Sequence, residues 1–189
     1  MTLARRPRTV AVALCGAALL PLALGGSALA AGSTGVATTD PTGDVRSSGE
    51  TTLRQVHAVD MTGVSYESDG TTLTLTTPVV DLRADLGREF VDTTVRRTID
   101  GTKQTWTLTS RVGRPWVKIG TGSAYYRCDG ATAMAKYGKD TVIQQVPLTC
   151  LEGWSRVKMR SSTSIVRRNG SPIVSDHAST IGWDLTGPQ

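Results

Sequence analysis

Polar and apolar residues alternate along several short segments of the chain, and this alternation predicts β-strands. It is clearest at residues 72–76, where Leu73 and Leu75 alternate with three threonines. Side chains of a strand point to opposite faces in turn, so this period of two places the leucines in a core and the threonines toward solvent. Gly63 interrupts the alternation and predicts a β-bulge. Similar patterns predict strands near residues 56–66, 91–99, 106–108, 117–119, 125–128, 142–146, 156–160, 164–166 and 172–174.

Short turn sequences separate the predicted strands. Ser68-Asp69-Gly70, Asp100-Gly101 and Asn169-Gly170 are hairpin signals, because Asn and Asp tolerate tight-turn conformations and glycine adopts positive φ without strain. Helical patterns are limited to one turn at Asp81–Gly87 and a loop or single turn at Ala131–Tyr137. Many short strands without a long helical period predict an all-β protein, a single antiparallel β-sandwich with at most short helical turns.

The first 30 residues carry the pattern of a secretory signal peptide. A basic start is followed by an apolar run of 15 residues at Val10–Leu24, and then by the cleavage signal Ala28-Leu29-Ala30. The apolar run is shorter than the roughly 20 residues that a membrane span needs, so no transmembrane segment is predicted. We therefore expect a secreted, extracellular protein with a flexible lead-in at residues 31–39 and a single β-sandwich domain at residues 40–189.

Cleavage after residue 30 would change both the charge and the cysteine count. Three of the 21 basic residues and none of the 16 acidic ones precede residue 31, which leaves a net charge of +2. So small an excess does not support a nucleic-acid partner. Cys128 and Cys150 are the cysteines that remain, and two thiols in an oxidising compartment predict a disulfide bond. It would close a loop of about 23 residues, which contributes roughly 3 kcal/mol.

Three aspartates form a candidate Ca²⁺ site. Asp40 and Asp44 flank a tight turn, and Asp60 begins a predicted strand. Ca²⁺ takes about six to eight hard oxygen ligands and accepts the irregular geometry of loops. The alternative is an Asx-turn, in which the carboxylates accept backbone N–H groups. No Asp-x-Asp-x-Asp loop is present, so the prediction depends on the residue types and not on their spacing.

Two other residues indicate different kinds of site. Trp154 follows the second cysteine, where a solvent-facing indole could bind a ligand by stacking on a sugar ring; alternatively it covers one end of the sandwich. His177 adjoins Asp176 and has serines nearby, so the residue types of a Ser-His-Asp hydrolase are present. The chain has no nucleophile elbow around these residues, and no residue is assigned a catalytic role.

One predicted strand carries a basic stripe. Arg156, Lys158 and Arg160 alternate with Val157 and Met159, so the three cations face the same side of the strand. A stripe of this kind is more typical of a solvated face than of an anion site.

The order of several motifs resembles that of small, uncharacterised secreted proteins of actinobacteria. The motifs are Asp40-Pro41-Thr42-Gly43-Asp44-Val45, Asp60-Met61, Cys128-Asp129-Gly130 and Val146-Pro147-Leu148-Thr149-Cys150-Leu151. This likeness spans nearly all of the mature chain and implies no known activity. The front end also resembles, remotely, β-sandwich modules of the DOMON and glucodextranase C-domain type. In those modules an Asp-Pro-x-Gly-Asp segment and a later strand-leading Asp help to bind Ca²⁺. The matching positions are Asp40, Asp44 and Asp60, while Val45 stands where that type carries another Asp.

Strand signals are abundant in this chain and catalytic signals are scarce. We therefore expect a secreted, non-catalytic binding module or cell-envelope-associated protein, with a cell-wall or extracellular glycan or a protein as its partner. Two alternatives stay open: a secreted hydrolase that uses His177, and a protein-binding inhibitor that presents the loop between Cys128 and Cys150. The sequence leaves the ligand and the oligomeric state open.

Overall fold

The computed structural model describes residues 34–86, 88–99, 102–121, 124–151, 156–167 and 171–184. The signal peptide predicted at residues 1–30 lies outside them, as do the turn centres Asp100-Gly101 and Asn169-Gly170. The described residues form thirteen strands, one helix and two 3₁₀ turns. In chain order these are β1 (Thr34–Thr39), β2 (Arg46–Ser47), α1 (Leu53–Val59), β3 (Gly63–Ser68), β4 (Thr72–Pro78), β5 (Glu89–Ile99), β6 (Thr102–Arg111), β7 (Val117–Thr121), β8 (Ala124–Arg127), β9 (Thr132–Lys136), a 3₁₀ turn (Tyr137–Lys139), β10 (Thr141–Pro147), a 3₁₀ turn (Leu148–Leu151), β11 (Arg156–Val166), β12 (Pro172–His177) and β13 (Ile181–Asp184).

The strands form two antiparallel sheets. The smaller sheet has the order β1-β3-β4-β10-β9, and the larger has the order β2-β12-β11-β5-β6-β7-β8, with β13 also paired to β11. The predicted all-β fold is therefore confirmed. The pairs β3–β4, β5–β6 and β11–β12 are antiparallel, in agreement with the three hairpin signals.

Inward-facing side chains of both sheets share one core. Leu73 and Leu75 of β4 are fully buried, as their alternation with threonine predicted, and they belong to the same core as Val95, Leu108 and Met159 of the larger sheet. Complete burial of an aliphatic side chain of this size contributes about 1.5–3 kcal/mol. Since each sheet buries only one face, the two sheets stabilise each other.

A polar network also crosses this core. Gln144 of β10 is 1 % exposed; its amide nitrogen donates to the Ser110 hydroxyl at 2.8 Å, and its oxygen accepts from Thr93 at 3.5 Å. The Ser161 hydroxyl is 2.8 Å from the Thr93 hydroxyl and 3.0 Å from the Tyr66 hydroxyl. We call these five side chains the core network. It links β3 and β10 of the smaller sheet to β5, β6 and β11 of the larger one.

The disulfide bond joins the two sheets covalently. Cys128 directly follows β8, and Cys150 lies in the 3₁₀ turn after β10. The two residues are bonded, with their Cα atoms 6.0 Å apart, so the predicted pairing is confirmed. Because β8 belongs to the larger sheet and β10 to the smaller, the bridge limits the separation of the sheets at this point.

The expectation of a flexible lead-in at residues 31–39 is wrong for residues 34–39. These residues form β1, which pairs with β3 in a regular register from Thr34 opposite Ser68 to Thr39 opposite Gly63. Gly63 has a φ of 156°, and a Cβ there would lie 2.6 Å from the Thr38 carbonyl oxygen. Strand β1 pairs with β3 through backbone hydrogen bonds, and a segment of polar residues can form these as well as an apolar one. Gly63 thus allows the close approach of β1. On its other side the pairing with the strand of residues 72–78 shifts by one residue, from Met61 opposite Val79 to Ser65 opposite Thr76, and the buried positions change parity at Gly63 and Val64. The predicted slip at Gly63 is therefore confirmed.

The expectation of a strand beginning at Val56 is also wrong, because residues 53–59 form α1. The Thr52 hydroxyl accepts from the Gln55 amide at 3.3 Å, and the Gln55 side chain accepts from the Thr52 amide at 2.9 Å. This reciprocal pair is a capping box, which is visible in the sequence as Thr-x-x-Gln. None of the helices within the described residues has the length and apolar character needed to cross a membrane.

Two smaller helical predictions also differ from the structure. Residues 81–86 form bends without a helical turn. The segment Ala131–Tyr137 contains β9, which pairs with β10, and a 3₁₀ turn follows it. Residues with good helix propensity adopt a strand here because the edge of β10 offers backbone partners.

Candidate metal centre

The loop between β1 and β2 carries two of the predicted metal ligands. Asp40 directly follows β1, and its amide donates to the Thr62 carbonyl at 3.2 Å. Gly43 has a φ of +88°, a conformation that favours glycine. Its N–H donates to both carboxylate oxygens of Asp60 at 3.0 Å. Asp60, which ends α1, therefore holds the turn that contains Asp44.

Asp176 of β12 lies against this loop. One carboxylate oxygen from each of Asp40, Asp44 and Asp176 lies within 4.8 Å of the others, and we call these three residues the acidic cluster. The Asp176 carboxylate accepts from the backbone amides of Met61 and His177, both at 2.7 Å. Oxygens that bind one Ca²⁺ ion at about 2.3–2.6 Å can lie up to about 5 Å apart. The spacing of the cluster therefore suits a single Ca²⁺ ion.

Two members of the acidic cluster are buried and Asp44 is exposed, and the cluster has no cationic partner among the described residues. Asp40 is 7 % exposed and Asp176 is 2 % exposed. The Oδ2 atom of Asp40 has no hydrogen-bond partner. None of the ion pairs found within the described ranges involves a member of the cluster. Buried carboxylates in such a setting are costly as anions unless a cation accompanies them.

The pKa values of two members reflect this setting. Burial, with smaller contributions from the carboxylates of Asp176 and Asp44, raises the pKa of Asp40 from 3.8 to about 6. Burial also raises the pKa of Asp176, although the backbone amides that it binds oppose this effect. A bound cation would favour the charged form of both groups and lower both pKa values.

The structure gives the three predicted ligands different roles. Asp40 and Asp44 lie in the acidic cluster, whereas the carboxylate of Asp60 accepts the Gly43 amide. Asp60 thus binds a backbone N–H, but one 17 residues away and not in a local Asx-turn. Asp176 was not predicted as a ligand, since it lies far along the chain. A signal was nevertheless present, because Asp176 has the same parity in β12 as the buried Val174. A carboxylate on the apolar face of a strand needs a partner there.

The geometry at His177 does not favour the hydrolase alternative. Asp176 is buried and His177 is exposed, because consecutive side chains of β12 point to opposite faces. The bond between the two residues runs from the His177 backbone amide to the carboxylate, and not from the imidazole. Partial desolvation of the His177 imidazole and the positive charge of the nearby Arg160 lower its pKa. Trp154, the predicted ligand-binding residue, lies outside the described residues.

The segment between Cys128 and Cys150, which the inhibitor alternative requires as a presented loop, is largely part of the smaller sheet. It contains β9 and β10, and β10 pairs with both β4 and β9. Its most exposed large apolar side chain is Met134, at 57 %. A segment with an interior strand cannot insert into a partner as a free loop.

Glu89 is a second buried carboxyl group that the sequence did not single out. It lies at the start of β5, is 2 % exposed, and neither of its carboxyl oxygens has a hydrogen-bond partner. Burial raises its pKa from 4.5 to about 8, so it is mostly neutral at pH 7. No group of three potential metal ligands within the described residues includes Glu89. It therefore differs from Asp40 in lacking neighbours with which to bind a cation.

Only the acidic cluster combines gathered carboxylates with a buried oxygen that lacks a partner, as far as the described part of the chain shows. No protein-family model and no curated protein matches the chain, so the interpretation of this cluster depends on its geometry, burial and charge.

Proposed function

We propose that the protein is a secreted, non-catalytic β-sandwich binding module, and that Ca²⁺ stabilises the loop between β1 and β2. The observation that carries the metal part is the acidic cluster, where the Oδ2 atom of Asp40 has no hydrogen-bond partner and lies among other carboxylates. The sequence resemblance to modules of the DOMON type supports the same class of protein. The scarcity of catalytic constellations supports a binding role.

The chemistry of the cluster favours Ca²⁺ over other metals. Its donors are all carboxylate oxygens, whereas zinc and later transition metals prefer imidazole or thiolate ligands. Mg²⁺ demands near-octahedral geometry and retains several water molecules. A cluster built from a loop and a strand is irregular, and Ca²⁺ tolerates such irregular geometry. The remaining ligands would be water or backbone oxygens.

A Ca²⁺ ion at this position would connect separate parts of the fold. Asp40 follows β1 of the smaller sheet, while Asp176 belongs to β12 of the larger sheet. The loop that carries Asp44 is also bound to the end of α1 through Asp60 and Gly43. The ion would therefore stabilise the native arrangement of both sheets and of the helix, in addition to the disulfide bond.

Thermal unfolding in excess Ca²⁺, in excess Mg²⁺ and in chelator tests the metal part of this proposal. Ca²⁺ at about 100 times its dissociation constant should add about 2.7 kcal/mol, because a ligand of the native state stabilises it. Mg²⁺ should add less. Asp176→Asn and Asp44→Asn should each abolish most of the Ca²⁺-dependent rise in Tm. The exposed Asp129→Asn is the matched control and should keep it. A wild-type Tm that is equal in Ca²⁺ and in chelator would remove the metal from the proposal.

A retention screen tests the binding part separately. The protein is passed over cell-wall fragments and immobilised glycans, with and without Ca²⁺. Retention on at least one matrix is expected. Absence of retention on every matrix would count against a binding module, whatever the result with Ca²⁺.

A further inference from the structure

The outward face of the larger sheet collects basic side chains. The inward positions on these strands are identified by buried residues such as Val95, Leu108 and Met159, so the alternate positions face away from the core. Eight cations occupy outward positions on five neighbouring strands. Two of them, Arg111 and Arg156, lie near strand ends, and we call the surface that the other six form the basic face: Arg96, Lys103, Lys118, Arg127, Lys158 and Arg160. Residues 31–189 carry a formal charge near +2, so the basic face is a local concentration of positive charge and does not follow from a large net charge.

Cations stand directly opposite each other in the register of this sheet. Lys158 of β11 pairs with Arg96 of β5, and Lys118 of β7 pairs with Arg127 of β8. Like charges at directly opposite positions destabilise a sheet. None of these four residues takes part in an ion pair found within the described residues. Lys118 and Arg127 both lie over the ring of Trp116, which offsets part of their repulsion. Stability alone would not favour the pair of Lys158 and Arg96, whereas an anionic ligand would compensate it.

Acidic residues are few at the outward positions. Asp184 stands opposite Arg156 on the short strand β13. Asp92 occupies an outward position of β5, where burial raises its pKa and a hydrogen bond from Thr109 opposes that effect. Neither residue lies between Lys158 and Arg96 in the register.

A depression of about 870 Å³ lies at the β13 end of the basic face, where β5 ends and where β6 and β11 begin, and Arg96, Lys103 and Lys158 contribute to its lining. In the register, Lys158 stands between Gly182 and Arg96, and Arg96 stands between Lys158 and Thr105. A Cβ at Gly182 would meet no atom within 4 Å, so the space beside Lys158 is open. Small residues thus flank Lys158 and Arg96 and leave room for a ligand.

Aromatic rings lie toward the β8 end of the same face. The Trp116 ring is 5.3 Å from the Lys118 ammonium and 5.1 Å from the Arg127 guanidinium. Gly120 stands opposite Tyr125, and a Cβ there would lie 2.4 Å from the Tyr125 ring. The absence of a side chain at Gly120 therefore lets this ring lie over the sheet. Tyr125 remains 50 % exposed and offers a flat surface on which a sugar ring can stack.

We propose that the basic face binds a linear carbohydrate polymer that carries phosphate or carboxylate groups. This proposal rests on the proposed binding function and names its ligand class, but it uses residues distinct from the acidic cluster. A polymer that crosses from β13 to β8 spans five strand spacings, about 24 Å, which corresponds to several sugar units. Threonine hydroxyls at Thr94, Thr105 and Thr107 lie between the cations and can bind polar groups. Hydroxyl groups in these positions suit a hydrated polymer better than the acyl chains of a lipid surface.

Binding to defined polymers tests the proposal. The probes are polygalacturonate, which carries carboxylates, poly(glycerol phosphate), which carries phosphates, and neutral dextran. Single-stranded DNA and vesicles of anionic lipid represent the other polyanion classes. The protein should bind one or both anionic carbohydrate probes, not dextran, and binding should weaken as NaCl is added because salt screens the attraction.

Charge reversal locates the binding surface. Arg96→Glu combined with Lys158→Glu should weaken binding at least about tenfold, since the charge that attracts the polymer becomes repulsive. Lys136→Glu combined with Lys139→Glu changes the net charge equally. Both residues are exposed, in β9 at the edge of the smaller sheet and in the turn that follows it, so binding should change less than about twofold. Lys158→Glu alone replaces a like-charge pair by an opposite-charge pair. It should therefore melt no lower than the wild type while binding more weakly, which separates the effect from misfolding.

Several outcomes would overturn the proposal. An equal loss of binding in both double variants would show a response to net charge only. Binding confined to DNA or to vesicles would assign the face to another class of partner. Retention on other glycans, with none on the anionic probes, would leave the binding module in place but reject this ligand class. The Ca²⁺-dependent Tm decides the metal site independently of all these results.

Discussion

The core network and the buried carboxylates of the acidic cluster, Asp40 and Asp176, differ in whether the protein itself satisfies their hydrogen-bonding atoms. Each hydroxyl of the core network can donate and accept, and the amide of Gln144 does both. Ionised carboxylates only accept. Among the buried side chains that the structure describes, the oxygens without a partner belong to Asp40 and Glu89. The difference indicates that the core network is a structural element, whereas the acidic cluster keeps a carboxylate oxygen that no group of the described chain satisfies.

The two regions should therefore respond differently to mutation and to ligands. Removing a member of the core network leaves its partners buried and unpaired, with no solvent or ion to replace it. Removing a carboxylate from the acidic cluster relieves repulsion when no cation is bound and removes a ligand when one is. Mutations in the acidic cluster should therefore raise or lower stability depending on whether a cation is present. Mutations in the core network should lower stability in either case.

The largest expected effect is at the core network. Gln144→Ala should lower the free energy of unfolding by about 4 kcal/mol, because it leaves a cavity and orphans its partners Ser110 and Thr93. The loss should be the same in Ca²⁺ and in chelator. Urea unfolding measures it, with Gln145→Ala as the matched control, since Gln145 is the exposed neighbour on the same strand. A loss below about 1 kcal/mol would show that the network is not structural.

An intermediate effect is expected at Glu89. Its pKa is about 8 in the folded protein and near 4.5 when unfolded, so the folded state binds the proton more tightly. Stability is then greatest below about pH 4.5 and falls as the pH rises toward 8. Glu89→Gln removes this dependence, so its stability relative to the wild type should grow by about 3 kcal/mol between pH 4 and pH 7.

Urea unfolding at several pH values checks the prediction for Glu89. The exposed Glu67→Gln on β3 is a suitable control. A difference between Glu89→Gln and the wild type that stays constant with pH would contradict a raised pKa. Glu89 would then resemble the buried groups of the core network, whose hydrogen bonds are made within the protein.

The smallest expected effect is at Asp44, and its sign should invert. Without Ca²⁺, Asp44→Asn should raise the free energy of unfolding by about 0.5 kcal/mol, since it removes one of the charges that raise the pKa of Asp40. With saturating Ca²⁺, the same variant should be less stable than the wild type because a ligand is missing. Thermal unfolding in chelator and in Ca²⁺ measures both. The same sign in both solutions would show that the acidic cluster binds no Ca²⁺.

Much of the fold was predictable where local pattern and burial agree. The alternation around Leu73 and Leu75 predicted β4 correctly, and the disulfide bond between Cys128 and Cys150 was predicted from the cysteine count beyond residue 30. Errors occurred where one signal competed with another. The alternation near Val56 favoured a strand, but the capping box at Thr52 and Gln55 stabilises a helix. Strand β1 was missed because a glycine- and threonine-rich segment gives no apolar signal, and only pairing with β3 orders it.

The chain by itself determined that the side chains of many short strands alternate between core and solvent, and that Asp40 and Asp44 flank one turn. Period-two patterning and turn residues act within about ten positions, so these properties are local. Only the tertiary structure decided that Asp176 and not Asp60 completes the acidic cluster, and that Arg96 and Lys158 stand side by side. Strand order brings together residues that are distant in sequence, and electrostatic interactions depend on the distance between charges in space and not on their separation along the chain.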